Sequence, residues 1–265
     1  MSGDHHMGLL AVRGLHKQFG GVHAVSNVSF DVARGTIKAI IGPNGAGKTT
    51  IFNLLTGLDV PTGGSVFLEG QDITSYPPYK ITNLGLARTF QNIRIFNDMT
   101  VLENVMVGRH TRSKSEFLAS ILKLPWVLAE EREIEEQALH LLEQVGLEDK
   151  AHELARNLTY GHQRRLEIAR ALATQPKALL LDEPAAGLNT SETAQLALTI
   201  EGVRQSGITV LLIDHRMGLV MNISDEVLVL NFGQVIAEGT PKEIQSNEQV
   251  IEAYLGKEDD YSPHN

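Results

Sequence analysis

The segment GPNGAGKTT, Gly42 to Thr50, constrains this chain more than any other stretch. It fits the pattern G-x-x-x-x-G-K-[ST], follows the apolar run Ile37 to Ile41 and precedes a helical stretch, which is the strand, loop and helix context that pattern needs. Gly42, Gly45 and Gly47 let backbone N–H groups turn inward around a phosphate, and the helix N-terminus adds partial positive charge. Asn44, Gly45, Ala46, Gly47, Lys48, Thr49 and Thr50 are therefore the expected cradle of a nucleoside triphosphate. Lys48 brings a full positive charge to the outer phosphates, and the Thr49 hydroxyl is a ligand type suited to Mg²⁺.

Two further pairs point to the same chemistry. Leu179, Leu180 and Leu181 run into Asp182 and Glu183, which places two carboxylates at the carboxyl end of a buried strand, where parallel sheets bind ligands. Asp182 is placed to hold Mg²⁺ and Glu183 to polarise the water that attacks the γ-phosphate. The run TVLLI likewise ends in Asp214 and His215, so His215 is expected beside the γ-phosphate.

Composition bounds the rest. With 265 residues, 42% hydrophobic and 21% charged, the chain has a globular profile and should bury roughly 70–75% of its unfolded surface. It contains no cysteine, which excludes disulfides, thiol nucleophiles and Cys-ligated zinc. Its 23 Lys+Arg against 32 Asp+Glu give a net charge of −9, which argues against wholesale coating of nucleic acid. The start MSGDHHMGLL has no basic flank and long apolar core, and no stretch approaches the ~18–20 apolar residues of a membrane span, so a cytoplasmic chain is expected. The nearest candidate, Phe117 to Ala129, is broken by Lys123 and Pro125; it reads either as a layer of packed helix or as a surface touching a membrane or partner.

Organisation follows from periodicity. Short apolar and β-branched runs dominate from Gly8 to Leu68, whereas Ile134, Ala138, Leu141, Leu142 and Val145 recur at helical spacing within a helical stretch from about Val101 to Glu153. Strand candidates at 178–181, 209–213 and 226–230 alternate with helices, the rhythm of a parallel sheet covered on both faces. An α/β core carrying an all-helical subdomain is expected, with Gly256 to Asn265 as a disordered tail.

These residues resemble the ATP-binding subunits of ABC transporters from about Leu9 to Leu255. The resemblance implies an α/β P-loop core with an antiparallel β subdomain and an inserted helical subdomain: one domain, 8–255, with 8–90 and 158–255 as core and 91–157 as the helical part. Phe19-Gly20 followed by Ala24-Val25 looks like the aromatic loop that stacks on adenine, which implicates Phe19 and Val25. Gln91 looks like the glutamine that touches Mg²⁺ and relays nucleotide state, a catalytic role alongside Lys48, Glu183 and His215. The family signature, usually Leu-Ser-Gly-Gly-Gln, is here Leu158, Thr159, Tyr160, Gly161 and His162. Thr159, Gly161 and His162 are the implied nucleotide contacts, Tyr160 and His162 are departures, and Asn189 replaces an expected aspartate. The resemblance also implies a head-to-tail pair in which each nucleotide lies between one phosphate loop and the other subunit's signature.

Within the family, LARTFQNIRIFNDMTVLENV (86–105), LTYGHQRRLEIARAL (158–172), LDEPAAGLN (181–189) and VIEAYLG (250–256) look like the branched-chain amino acid importer ATPases. Importers of urea and amides, and the ATPase of lipopolysaccharide export, share parts of these stretches; a soluble, non-transport ABC ATPase is a further alternative. The resemblance implies ATP and Mg²⁺ as cofactors and two transmembrane permeases as partners. It further implies a second ABC ATPase, self or sister chain, an external substrate-binding protein, no nucleic acid, and a peripheral position on the cytoplasmic face of the membrane. Ile93, Ile95, Phe96 and Met99 are candidates either for a groove that receives a permease helix or for core packing.

Overall fold

The computed structural model describes residues 8–110 and 125–255. The stretch Phe117 to Ala129, apart from the backbone of its last five positions, and the tail Gly256 to Asn265 lie outside the described residues.

The three apolar runs read as buried strands form the centre of a sheet. β3 (Ile37–Ile41), β7 (Ala178–Asp182) and β8 (Thr209–Ile213) are buried at every position, as strands covered on both faces must be. With β6 (Leu86–Arg88), β9 (Glu226–Asn231) and β10 (Gln234–Gly239) they give the order β10-β9-β3-β8-β7-β6, parallel except for the antiparallel edge strand β10. A second sheet is fully antiparallel: β1 (Leu10–Phe19), β2 (Val22–Val32), β4 (Gly63–Leu68) and the two-residue β5 (Gln71–Asp72), in the order β2-β1-β4-β5.

Because successive strand residues face opposite ways, the parallel sheet divides its side chains between two cores. Ile37, Ala39, Ile41, Leu179, Leu181, Val210 and Leu212 join one, built with α3 (Val101–His110), α4 (Pro125–Gln144), α5 (Tyr160–Leu172), α6 (Thr190–Gln205) and α7 (Met217–Ile223). Ile40, Leu180, Leu211 and Ile213 join the other, where α1 (Lys48–Leu55) inserts Ile51, Phe52, Leu54 and Leu55 between the two sheets. The helical spacing read on α4 is met: Ile134, Ala138, Leu142 and Val145 are buried and Leu141 packs partly against the same core. The remaining helices are α2 (Pro78–Leu84), α8 (Pro241–Gln245) and α9 (Glu248–Leu255).

The strand order gathers the loops that carry the candidate site residues. β3, β8, β7 and β6 are consecutive neighbours, so the loops leaving their carboxyl ends, at residues 42, 214, 183 and 89, open side by side.

Candidate functional site

The loop after β3 owes its path to its glycines. Gly42 has φ 151° and a Cβ there would come within 2.1 Å of the Leu230 carbonyl oxygen; Gly47 has φ 100° and its Cβ would meet the Ala24 oxygen at 2.4 Å. Any other residue at either position would have to displace backbone. Gly233 N–H donates to the Ala46 carbonyl at 3.0 Å, tying the loop to the β9–β10 turn. The loop's start also meets α9, where burial pushes the Tyr254 hydroxyl up to about 12 and a hydrogen bond with the Gly42 backbone opposes that shift. Asn44, Gly45 and Thr49 are exposed, whereas Lys48 is buried. Its Nζ donates to the carbonyls of Gly42 at 2.8 Å and Pro43 at 2.9 Å. Burial lowers the Lys48 ammonium below its ordinary value, opposed by the charges of Glu183 and Asp182.

Both carboxylates after β7 are held from outside their own strand. Asp182 is 3% exposed, and its Oδ2 accepts from Arg88 Nη2 at 2.7 Å. Arg88 is fixed in turn by Asn53 Oδ1 at 2.8 Å and by the rings of Phe52 and Phe90, 5.5 and 5.3 Å from its guanidinium carbon. Glu183 lies in the left-handed region, φ 48°, a conformation costing a non-glycine residue roughly 1 kcal/mol. Its N–H donates to the Ile213 carbonyl at 2.7 Å, which holds the strained turn against β8. The side chain that this turn presents accepts from Gln91 Nε2 on Oε2 at 2.8 Å, and Oε1 lies 2.9 Å from His215 Nε2. Residues from the ends of three strands therefore meet on one carboxylate. Asp214 supports the turn, accepting from Ala185 N–H at 3.0 Å and Arg216 N–H at 2.8 Å; burial raises its carboxyl above the ordinary value.

Among the described residues no group of three acidic or imidazole side chains could hold a metal. Thr49, Asp182 and Gln91 supply oxygen donors of the hard type that Mg²⁺ takes, too few to hold the ion without phosphate oxygens and water.

The five remaining expected nucleotide contacts, Phe19, Val25, Thr159, Gly161 and His162, are not part of the carboxylate cluster, although the Ala24–Val25 backbone packs against the phosphate-loop Gly47 and the turn at Gly233. Phe19 is 47% exposed at the tip of β1, with the Lys17 ammonium 4.7 Å from its ring centre. Val25 is fully buried in the core beneath β2 and presents no surface. Thr159, Gly161 and His162 line a separate cavity of ≈ 390 Å³ with Arg165, Glu192 and Gln195. Thr159 caps α5, its hydroxyl accepting from His162 N–H at 3.4 Å. Burial, then Arg165 and Lys150, lower the His162 imidazole, which favours its neutral form. Asn189 caps α6: its side chain accepts from Glu192 N–H at 2.9 Å while Glu192 accepts from the Asn189 amide at 2.9 Å.

Ile95 and Phe96, but not Ile93 or Met99, line a cavity of ≈ 630 Å³ together with Phe90, Arg94, Val107 and Arg170. The loop carrying them is pinned by Asn104, fully buried on α3, which accepts from Phe96 N–H at 2.8 Å and donates to the Phe96 and Thr100 carbonyls at 3.0 and 2.8 Å. Asn104, Arg164 and Glu167 fall within the stretches 86–105 and 158–172 that carry the family resemblance, but those stretches assign them no role; polar residues on otherwise apolar helix faces are the hint that they are structural.

The ABC transporter family profile matches residues 25–186, and that of the branched-chain amino acid ATP-binding cassette transporters matches residues 234–260. The chain is 49% identical over 250 residues to the high-affinity branched-chain amino acid transport ATP-binding protein BraF of Pseudomonas aeruginosa, covering 94% of this chain and 98% of that one. It is 48% identical, with the same coverage, to the corresponding LivG of Escherichia coli. The crystal structure of the ADP conformation of an ATP-binding cassette of an ABC transporter superposes with a TM-score of 0.83 at 35% identity, covering 95% of this chain and all of the other. A phosphate loop, a carboxylate gripped by glutamine and histidine, and this likeness along almost the whole chain have one reading: the chain belongs to the ABC transporter family, as one of its ATP-binding cassettes.

Proposed function

We propose that this cassette binds ATP with Mg²⁺ and hydrolyses it to drive import of branched-chain amino acids through membrane permeases. The observation that carries the reading is Glu183, fixed between Gln91 and His215 beside the phosphate loop. A carboxylate so held can accept a proton from the water attacking the γ-phosphate, and His215 and Gln91 keep it aimed there. Loop amides of residues 44–50 and the Lys48 ammonium would bind the phosphates, exchanging the loop carbonyls that Lys48 now contacts for phosphate oxygens. Phe19 offers its exposed ring to adenine, with Val25 supporting from below. Thr49, Asp182 and Gln91 would hold Mg²⁺, which supplies neutralising charge to the β- and γ-phosphates.

The separation of Thr159, Gly161 and His162 from the chain's own phosphate loop supports a head-to-tail pair with a second ATPase, a copy or a sister chain. In such a pair the capped start of α5 points its helix dipole at the partner's nucleotide. The apolar cavity around Ile95 and Phe96 suits a helix of a permease on the cytoplasmic face of the membrane. Among the described residues no helix is long and apolar enough to cross a membrane. An external binding protein would deliver the amino acid to the permeases.

Two variants test the chemistry. Lys48→Ala is expected to lose ATP binding, and Glu183→Gln to keep binding while turnover falls by about 10²-fold or more. Unchanged turnover by Glu183→Gln would overturn the assignment. Two permeases of branched-chain type should co-purify from membranes with tagged protein; permeases of lipopolysaccharide export, or ribosomes or DNA without any permease, would replace the importer reading.

A further inference from the structure

Arg164 is buried, 2% exposed, on α5, four residues after Tyr160. Its Nη1 donates to the Phe90 carbonyl at 2.9 Å and pairs with Glu167 at 3.4 Å. Its Nη2 donates to the Gln91 carbonyl and, at 3.0 Å, to the Tyr160 hydroxyl. Glu167 completes the clamp, accepting from the amides of Phe90 and Arg94 at 3.4 Å each. The side chain of Gln91 is one of the two that grip Glu183. Tyr160, a departure from the usual signature, is therefore linked through Arg164 and Gln91 to the hydrolytic carboxylate of its own chain. Its ring also lies over Gly187, where a Cβ would meet Cε1 at 3.1 Å, so it touches the loop that follows Glu183.

We propose that Tyr160 and Arg164 are positioning residues for Glu183 in cis, acting through Gln91. The proposal rests on the head-to-tail reading above and deepens it: the segment that meets the partner's nucleotide also sets the aim of this chain's own carboxylate. A planar guanidinium held on two successive carbonyls, a carboxylate and a phenol has little freedom, so movement of the start of α5 is passed to Gln91. Tyr160, 44% exposed, is the outer end of that linkage; among the described residues Arg164 Nε has no hydrogen-bond partner, so losing the phenol leaves the guanidinium with fewer fixed contacts.

The test uses the complex purified from membranes through a tag on this chain, with Mg-ATP turnover measured against ATP concentration. Tyr160→Phe keeps the ring over Gly187 and removes only the hydroxyl. It should lower kcat by about three- to tenfold, the range of one net hydrogen bond, with KM for ATP unchanged and the unfolding temperature lowered by no more than about 2–4 °C. Arg164→Lys should lower kcat in the same direction. In the double variant Tyr160→Phe/Gln91→Ala the two losses should not multiply, because both act on one linkage. Wild-type kcat in Tyr160→Phe, a raised KM at unchanged kcat, or multiplying losses would each overturn the proposal. Glu183→Gln is run beside them: if it still hydrolyses ATP the site reading falls and the proposal with it, whereas lost hydrolysis with multiplying losses sinks the linkage alone.

Discussion

Replacing Arg88 by methionine should be among the most damaging single changes in this cassette, although the residue lies outside the phosphate loop. The guanidinium and the Asp182 carboxylate are 2.7 Å apart with side chains 6% and 5% exposed, so neither is solvated. Removing the cation leaves a carboxylate buried without its partner, which costs about 3–5 kcal/mol when a buried pair is broken from one side. Hydrogen bonds to Asn53 and Thr56 go with it, while the Lys48 ammonium nearby offsets part of the orphaned charge. A net loss of about 3 kcal/mol is expected. For a chain of this size that is a fall in Tm of roughly 6–12 °C. Urea denaturation and thermal melting followed by circular dichroism would read it. Arg88→Met/Asp182→Asn should lose clearly less than the sum of the single changes, since no charge is left unpartnered. A loss below about 1 kcal/mol in Arg88→Met, or strict additivity in the double variant, would refute the argument from burial.

Lys38 provides the contrast. It is 1% exposed and paired with Glu226 at 2.8 Å and with Glu238, but those carboxylates are 46% and 34% exposed and can return to water. Lys38→Met should therefore change stability by less than about 1 kcal/mol in the same urea titration. Glu167 predicts a pH effect. Burial raises its carboxyl above the ordinary 4.5, with Arg164 and the amides of Phe90 and Arg94 pulling the other way. The folded chain thus holds this proton more tightly than the unfolded chain. The stability it contributes is full below the ordinary value and is lost as pH rises through the folded value. Between about pH 4.5 and neutrality, Glu167→Gln should lose less stability with rising pH than the parent, and parallel pH profiles would contradict this.

The contrast between Arg88 and Lys48 shows which parts of the site were legible in sequence. Lys48 sits in a pattern whose spacing is the chemistry, and the all-apolar runs before Asp182 and His215 could only be buried strands. Those features located three strand ends, of β3, β7 and β8, and with them Lys48, Glu183 and His215; β6 was not read as a strand, and Gln91 beyond it was implicated only through resemblance. Arg88, Arg164 and Glu167 were illegible because charged side chains ordinarily read as solvated surface; Arg88 is buried against Asp182 of another strand, and Arg164 and Glu167 pair with each other on α5 while the backbone of Phe90, Gln91 and Arg94 completes their hydrogen bonds. β10 was missed for a related reason: QVIAEG has mixed burial at a sheet edge and no clean alternation. Val25 was implicated through resemblance, and its burial follows from β2 packing on α1, which no local pattern reveals. Asn189, read as a departure from an expected aspartate, is a helix cap, a role either residue fills.

The central claim, that hydrolysis at Glu183 drives amino acid import, is tested most directly by uptake. Cells of the source organism lacking the chromosomal copy would be complemented with the parent chain or with Glu183→Gln, and the initial rate of labelled leucine, isoleucine and valine entry measured. The parent chain is expected to restore uptake, and Glu183→Gln, present at the same level in membranes, is not. Uptake that is indifferent to the deletion, or that Glu183→Gln restores in full, would contradict it.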